Sequence, residues 1–204
     1  MSADTPLIVM LPGAYDSPGD FVEHGFDRIA RTAGFDWLAH PTDLTAIADG
    51  RLVHQIHEDV IGPMRARGDA RILLGGISIG GLTALTYADT YPDTVDGLVL
   101  IAPYPGNRMI TQTIERAGGI NRWVPGALET NEGELRGWRA LKSLGRALPA
   151  GLWLSYGESD RFAPGHRLMA EALPADQVLR APGGHDWPTW QTLWRGLVGA
   201  IGAQ

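Results

Sequence analysis

The chain contains no cysteine, which excludes a disulfide framework and any cysteine-ligated metal. It has no apolar run approaching the ~18 residues that a membrane helix needs, so no membrane span is expected. Its first residues, Met1-Ser-Ala-Asp-Thr-Pro6, hold neither the basic region nor the apolar core of an export signal, and a cytoplasmic location is the expectation. Positive charge is also short. The formal net charge is −6, which argues against nucleic acid as a partner, because a binder must offset phosphate charge. Internal repeats and low-complexity linkers are missing as well. What remains is 204 residues, 44% hydrophobic and 20% charged, which falls within one-domain length and can bury a sizeable core. One domain over residues 1–204 is expected.

The most informative stretch is Arg71-Ile-Leu-Leu-Gly-Gly-Ile-Ser-Ile-Gly-Gly81. Ile72 to Leu74 read as a buried strand, and Ile79 onward reads as a helix with Leu82, Leu85 and Tyr87 and no breaker. Ser78 therefore sits on a strand-to-helix turn with Gly76 and Gly80 two residues to either side, the G-x-S-x-G nucleophile elbow. Glycine suits those positions because a Cβ there would crowd the bend that projects the serine hydroxyl outward. With 27 glycines in the chain the pattern also arises by chance, and Ser78 alone fits a helix N-cap equally well. Context has to decide.

An elbow serine needs a histidine to take its proton and a carboxylate to orient that histidine, in chain order serine, acid, histidine. Leu152 to Tyr156 is a second strand-like run, opening into Gly157-Glu-Ser-Asp-Arg161. Gln177 to Arg180 is a third, followed by Ala181-Pro-Gly-Gly-His185. Open parallel sheets gather their sites at the carboxyl ends of strands, so these loops can meet the elbow. His185 is the candidate base, with a structural loop histidine as the plain alternative. Asp160, Glu158 and Asp186 are candidate acids. Asp186 adjoins the histidine, so its side chain would normally point away, and Glu158 lies closer to the strand end.

On these residues the chain resembles the α/β-hydrolase superfamily over nearly its whole length. Gly157-Glu-Ser-Asp-Arg161 looks like the family's acid loop and Gly183-Gly-His185 like its histidine loop. The string Gly184-His185-Asp186-Trp187, with Trp190 after it, is similar to capless esterases of the tributyrin esterase and S-formylglutathione hydrolase type. The resemblance implies Asp160 as the acid. It also implies an α/β-hydrolase fold, a mostly parallel sheet of about six strands with helices on both faces and a minimal cap. The first strand, Leu7 to Leu11, begins so early that the extra amino-terminal hairpin of larger relatives is expected to be absent. Two departures stand out: Ile77 and Ile79 flank the serine, and Pro12-Gly13 replaces the His-Gly pair often found after the first strand. The oxyanion hole needs two backbone N–H groups. Ile79 supplies one from the elbow, and Ala14 is the best match for the other, with Tyr15 as alternative.

The alternation of strand and helix along the chain independently argues a parallel sheet covered on both faces. One amphipathic helix is expected from Gly19 to Ala33, a strand from Phe35 to Ala39, and one long helix from Leu44 to Arg67 with a kink at Pro63. Gly97 to Ile101 reads as a further strand. Residues 103–149 break the rhythm where this superfamily inserts a substrate lid. They fit either a small lid or a connecting helix with a long loop. Helical pieces are expected around Met109 to Arg116 and Glu134 to Arg146, with Trp123 and Trp138 free to line a pocket. The segment holds seven cationic and four acidic side chains, a net +3 that leaves −9 for the rest. It could steer anionic substrates through Arg108 and Arg122, or its arginines could pair with local glutamates. Tyr15, Tyr104 and Trp187 are expected to touch substrate, and Trp187 to help orient His185. Trp187, Trp190 and Trp194 share one face of the last helix, the mark of a packing stripe. His54 and His57 lie on the long helix away from the elbow, without His-Glu-x-x-His spacing, and read as a solvated face.

The expected activity is that of a serine hydrolase cleaving a carboxylic ester or thioester through an acyl-enzyme, on a small-molecule substrate, with no metal and no organic cofactor. Acyltransferase, amidase, thioesterase and lactonase chemistry use the same triad, and a non-catalytic hydrolase-like binding protein is the other class. Reaction with a fluorophosphonate separates enzyme from binder.

Overall fold

The computed structural model describes residues 5–68 and 71–203. Among them, β1 (Leu7–Leu11), β2 (Asp36–Ala39), β3 (Ile72–Ile77), β4 (Gly97–Ile101), β5 (Leu152–Gly157) and β6 (Val178–Ala181) form one six-stranded sheet. The order is β2-β1-β3-β4-β5-β6 and every neighbouring pair is parallel. The chain thus reverses its lateral direction between β1 and β3. A crevice opens at such a switch point, outside the carboxyl ends of the strands.

Side-chain alternation divides the core in two. Val9, Leu11, Leu74, Leu100 and Leu154 face one way, into a cluster with Val53, Ile56, Leu85, Trp138 and Met169. Ile8, Met10, Leu73, Val99 and Trp153 face the other way, toward Phe21, Phe26, Trp194 and Leu197. Strands buried on both faces need no polar alternation, which is why they read as continuous apolar runs. The second face is covered by α1 (Pro18–Glu23), α2 (Phe26–Thr32) and, later in the chain, the long carboxyl-terminal helix Trp187–Gly202. Trp190 and Trp194 are buried on that last helix and Trp187 is half-buried.

Both long helices expected from sequence are broken. Gly25 stands at φ 73 between α1 and α2, a left-handed conformation that L side chains rarely adopt. The stretch from Leu44 divides into α3 (Leu44–Ala48), a turn at Gly50, α4 (Leu52–Ile56), a π turn at His57–Ile61 and α5 (Gly62–Ala66). Pro63 supplies the reason for the π turn. It has no N–H and its ring would strike the carbonyl four residues back, so Gly62 N–H reaches to His57 O instead. The helices that follow are α6 (Ile79–Thr90), α7 (Arg108–Arg116), α8 (Gly133–Leu144), α9 (Ala163–Ala170) and α10, the Trp187–Gly202 helix.

α8 packs on α6 as a core helix. Trp138 is fully buried with Nε1–H on Pro105 O (2.9 Å), and Trp123 is buried too. Neither lines the two cavities described below, contrary to expectation, because each packs 103–149 against the body. Part of the charge of that segment is engaged as well. Arg136 and Arg139 both bind Asp89, at 2.9 and 2.7 Å, not the local glutamates. Lys142 Nζ donates to the carbonyls of Ile120 (3.1 Å) and Asn121 (3.0 Å). His54 and His57 also differ from a bare solvated face. His54 Nδ1 lies 2.6 Å from the Tyr91 hydroxyl, and the His57 ring stacks on Tyr91 at 3.9 Å. Among the described residues no helix is long and apolar enough to cross a membrane.

Candidate active site

Ser78 joins β3 to α6 at φ 54 and ψ −117. A non-glycine residue held there costs on the order of 1–3 kcal/mol and persists only where its surroundings over-determine it. Here they do. Ser78 N–H donates to Ile101 O (3.1 Å), while Ser78 O accepts from the N–H groups of Tyr104 (2.8 Å), Gly81 (3.0 Å) and Leu82 (3.2 Å). The flanking glycines permit the approach of three elements. A Cβ on Gly76 would lie 2.6 Å from Gly80 O, and one on Gly80 would lie 2.6 Å from Pro12 O. The elbow is therefore pressed against the end of β1, at the switch point.

His185 reaches this serine from the loop after β6. Its Nε2 lies 3.0 Å from Ser78 Oγ and its Nδ1 lies 2.7 Å from Asp160 Oδ2. Asp160 Oδ1 also accepts the Phe162 N–H at 2.7 Å. The Asp160 side chain has no solvent exposure, whereas that of His185 retains 10%. Burial alone would push the Asp160 carboxyl up, but the hydrogen bonds from His185 and Phe162 and the nearby imidazoles outweigh it and hold it below 3.8. An ionised carboxylate can only accept, so Nδ1 carries the imidazole proton and Nε2 offers its lone pair to the Ser78 hydroxyl. Of the competing acids, Glu158 is exposed. Asp186 caps α10, its Oδ1 accepting from Thr189 N–H (3.0 Å) and Oγ1–H (2.7 Å).

Around the imidazole, Phe162 and Trp190 stand edge-on with ring centroids 5.2 and 5.1 Å away. Trp187 does not touch it. Its indole stacks on His24 at 4.2 Å and donates Nε1–H to Asp16 Oδ1 at 3.2 Å. Asp16 belongs to the turn after β1, closed by its N–H on Gly13 O (3.3 Å). Burial pushes the Asp16 carboxyl up, against the lowering effect of the Trp187 bond. Trp187 thus fastens that turn to α10. The turn itself abuts the elbow, since a Cβ on Gly13 would lie 3.8 Å from Ser78 Cβ. Ala14 and Tyr15 are its two central residues, whose N–H groups take no part in the closing bond. On the other side, Ile79 N–H opens α6 and has no intrahelical acceptor.

Beside Ile79 a cavity of about 430 Å³ runs between the start of α6, the α3–α4 region and the segment before α8. Ile47, Leu52, Ile79, Leu82, Ile110 and Leu135 give it an apolar lining, and Tyr104 closes one wall. Tyr15 is 98% exposed, and neither it nor Trp187 lines this cavity. The α3–α4 lining escaped sequence reasoning because one straight helix from Leu44 would lie apart from the elbow. The break at Gly50 lets residues from Ala46 to Val53 line one cavity with the start of α6.

His166 on α9 is a second residue that sequence reasoning missed. It is fully buried, with Nε2–H donating to Pro103 O at 2.8 Å. Burial pushes it down to about 4 from an ordinary 6.5. Pro103 immediately precedes Tyr104, whose N–H holds the Ser78 carbonyl. The only sign in the sequence was its place six residues after Asp160. Among the described residues no three His, Asp or Glu side chains are grouped to hold a metal ion.

The parallel-sheet architecture that carries this site has counterparts in known proteins. A family profile described as the alpha/beta hydrolase fold matches residues 6–151, and the chain belongs to that family. Many solved structures resemble it, three of which illustrate the range. The monoacylglycerol lipase of Paleococcus ferrophilus has a TM-score of 0.61 at 19% identity, covering 98% of this chain and 96% of that one. The S-formylglutathione hydrolase of Staphylococcus aureus gives 0.64 at 14% identity, with 98% and 82% covered. The fluorophosphonate-binding serine hydrolase F of Staphylococcus aureus gives 0.68 at 15% identity, with 98% and 85% covered. At these identities the likeness is one of fold. No curated protein matches the chain in sequence.

Proposed function

We propose that this protein is a serine hydrolase that cleaves carboxylic esters or thioesters of small molecules, with Ser78, His185 and Asp160 as its triad. The observation that carries this reading is the unbroken relay from the Ser78 hydroxyl through both imidazole nitrogens to a buried carboxylate, at 3.0 and 2.7 Å. Ser78 Oγ attacks the acyl carbon while its proton passes to His185 Nε2. The carbonyl oxygen becomes an oxyanion, and the N–H groups of Ile79 and Ala14 stabilise it. The intermediate then expels the alcohol or thiol, which takes the proton from His185. Water attacks the acyl-serine, again giving its proton to Nε2. The Oγ–acyl bond breaks, the proton returns to Ser78, and the carboxylic acid leaves. Asp160 remains ionised throughout, fixing the tautomer and balancing the imidazolium.

The apolar cavity beside Ile79 supports a substrate with one aliphatic or aromatic half. Residues 103–149 act in this reading as a small cover within a single domain, with α8 fixed and α7 forming the outer wall. Acyl transfer and amide cleavage would use the same groups and differ in what replaces water. Hydrolysis of p-nitrophenyl esters of graded chain length tests the proposal. The wild-type chain turns them over, and Ser78→Ala lowers kcat about a millionfold. Equal turnover by a folded Ser78→Ala variant would overturn it.

A further inference from the structure

A second cleft, of about 340 Å³, shares Tyr104 with the apolar cavity. Its walls come from the turn before α7, from Thr111 on α7, and from Arg161 to Gly165 in the acid loop and early α9. It adjoins the reacting centre through two residues. Tyr104 lines both cavities and its N–H binds the Ser78 carbonyl at 2.8 Å. Phe162 lines the cleft, packs against Tyr104 at 5.4 Å and presents its ring to His185 at 5.2 Å.

The two cavities differ in charge. Glu132 and Glu134 stand at the apolar one, where Arg136 is already bound to Asp89. The cleft has Arg108 and Arg161 and no acidic residue in its walls. Both arginines are exposed, and among the described residues neither has a carboxylate within ion-pair distance. By contrast Arg51, Arg65, Arg136 and Arg139 are each paired with an aspartate. Arg161 lies over the Phe162 ring at 4.8 Å, a contact that favours its guanidinium beside the cleft. Glu134, on α8, is engaged by Asn107 N–H (3.2 Å) and Nδ2–H (2.8 Å). Two unpaired guanidinium forks at one cleft match an oxyacid group, since each can donate two parallel hydrogen bonds to carboxylate or phosphate oxygens.

We propose that this cleft is an anion subsite. The preferred substrate is then an ester or thioester with an apolar half in the Ile79 cavity and a carboxylate or phosphate on the other half, held by Arg108 and Arg161. This rests on the serine-hydrolase reading and names its substrate class. It also reassigns the cationic residues expected to steer anions. Arg122 is exposed and lines neither cavity, whereas Arg161, outside residues 103–149, takes its place.

Three matched pairs of esters test it. Mono-p-nitrophenyl glutarate against p-nitrophenyl valerate puts the anion on the acyl side. 3-Carboxyphenyl valerate against phenyl valerate puts it on the leaving group. 4-Valeryloxyphenyl phosphate against phenyl valerate separates phosphate from carboxylate. In at least one pair, Arg108→Glu and Arg161→Glu each lower kcat/KM of the anionic member relative to its neutral twin by roughly tenfold or more, mostly through KM. Because the comparison is a ratio within one variant, a general loss of fold does not mimic it. The wild-type preference for the anionic member also shrinks as salt rises to ~0.5 M. Ratios that move less than about twofold in both variants, or equal salt dependence of both members in every pair, overturn the subsite while neutral-ester turnover leaves the hydrolase standing. If the wild-type chain turns over none of these esters, the hydrolase reading fails and the subsite falls with it.

Discussion

His185 is held on four sides: Ser78 and Asp160 take its two nitrogens, and Phe162 and Trp190 stand edge-on against its ring. The ring therefore cannot turn without breaking a bond to a buried carboxylate. Asp160 matters for its charge as much as for its position. Asp160→Asn retains a similar shape but cannot keep the proton on Nδ1, and kcat falls about 10⁴-fold. Glu158→Gln alters an exposed side chain, and Asp186→Asn keeps a competent helix cap, so ester turnover in both stays within about threefold of wild type. A Glu158→Gln loss as large as that of Asp160→Asn would move the acid role away from Asp160. Ser78, Asp160 and His185 were legible as candidates because each follows a strand-like run, in an order that makes chemical sense. The ring contacts were not legible. Phe162 and Trp190 are ordinary core-type residues, and nothing local says that their edges meet an imidazole.

At the scale of elements, α9 is the latch. It starts three residues after Asp160, and its His166 binds the Pro103 carbonyl, in the strand exit that also holds the elbow. Acid loop and elbow are thus tied through one buried neutral histidine. Its ordinary value of 6.5 is lowered to about 4 in the fold. Between those pH values the unfolded chain binds the proton and the folded chain does not, so stability rises with pH across that window. The contribution is fully present above 6.5 and is lost as pH falls toward 4, amounting to about 3 kcal/mol for this one group. Urea unfolding at pH 7 and pH ~4.5 should therefore show a steeper loss for wild type than for His166→Gln, which has no proton to take up. Identical slopes would mean that His166 is not held neutral by the fold. Strand positions were readable here because apolar runs of this length have few other uses. Helix breaks were harder, because Gly25 and Gly50 interrupt patterns that remain amphipathic on both sides, and the π turn before Pro63 depends on a backbone choice that side-chain periodicity does not record.

In the whole molecule, parallel pairing puts every strand-to-helix connection on one edge of the sheet. The turn after β1, the elbow after β3, the Pro103–Tyr104 segment after β4, the acid loop after β5 and the histidine loop after β6 all meet there. Alternation of strand and helix was enough to foresee that gathering. It could not foresee how charge is spent. Within the +3 of residues 103–149, Arg136 and Arg139 are engaged by Asp89, while Arg108 stands at the cleft without a carboxylate partner among the described residues, joined there by Arg161 from a loop assigned only to the acid. In the proposed reading this edge activates one serine among six. Treating the folded chain with a fluorophosphonate and mapping the product by mass spectrometry tests it most directly. One adduct per chain is expected, on the peptide that contains Ser78, with loss of that adduct in His185→Ala. An adduct on another serine, or no reaction under conditions where the chain is folded, would contradict it.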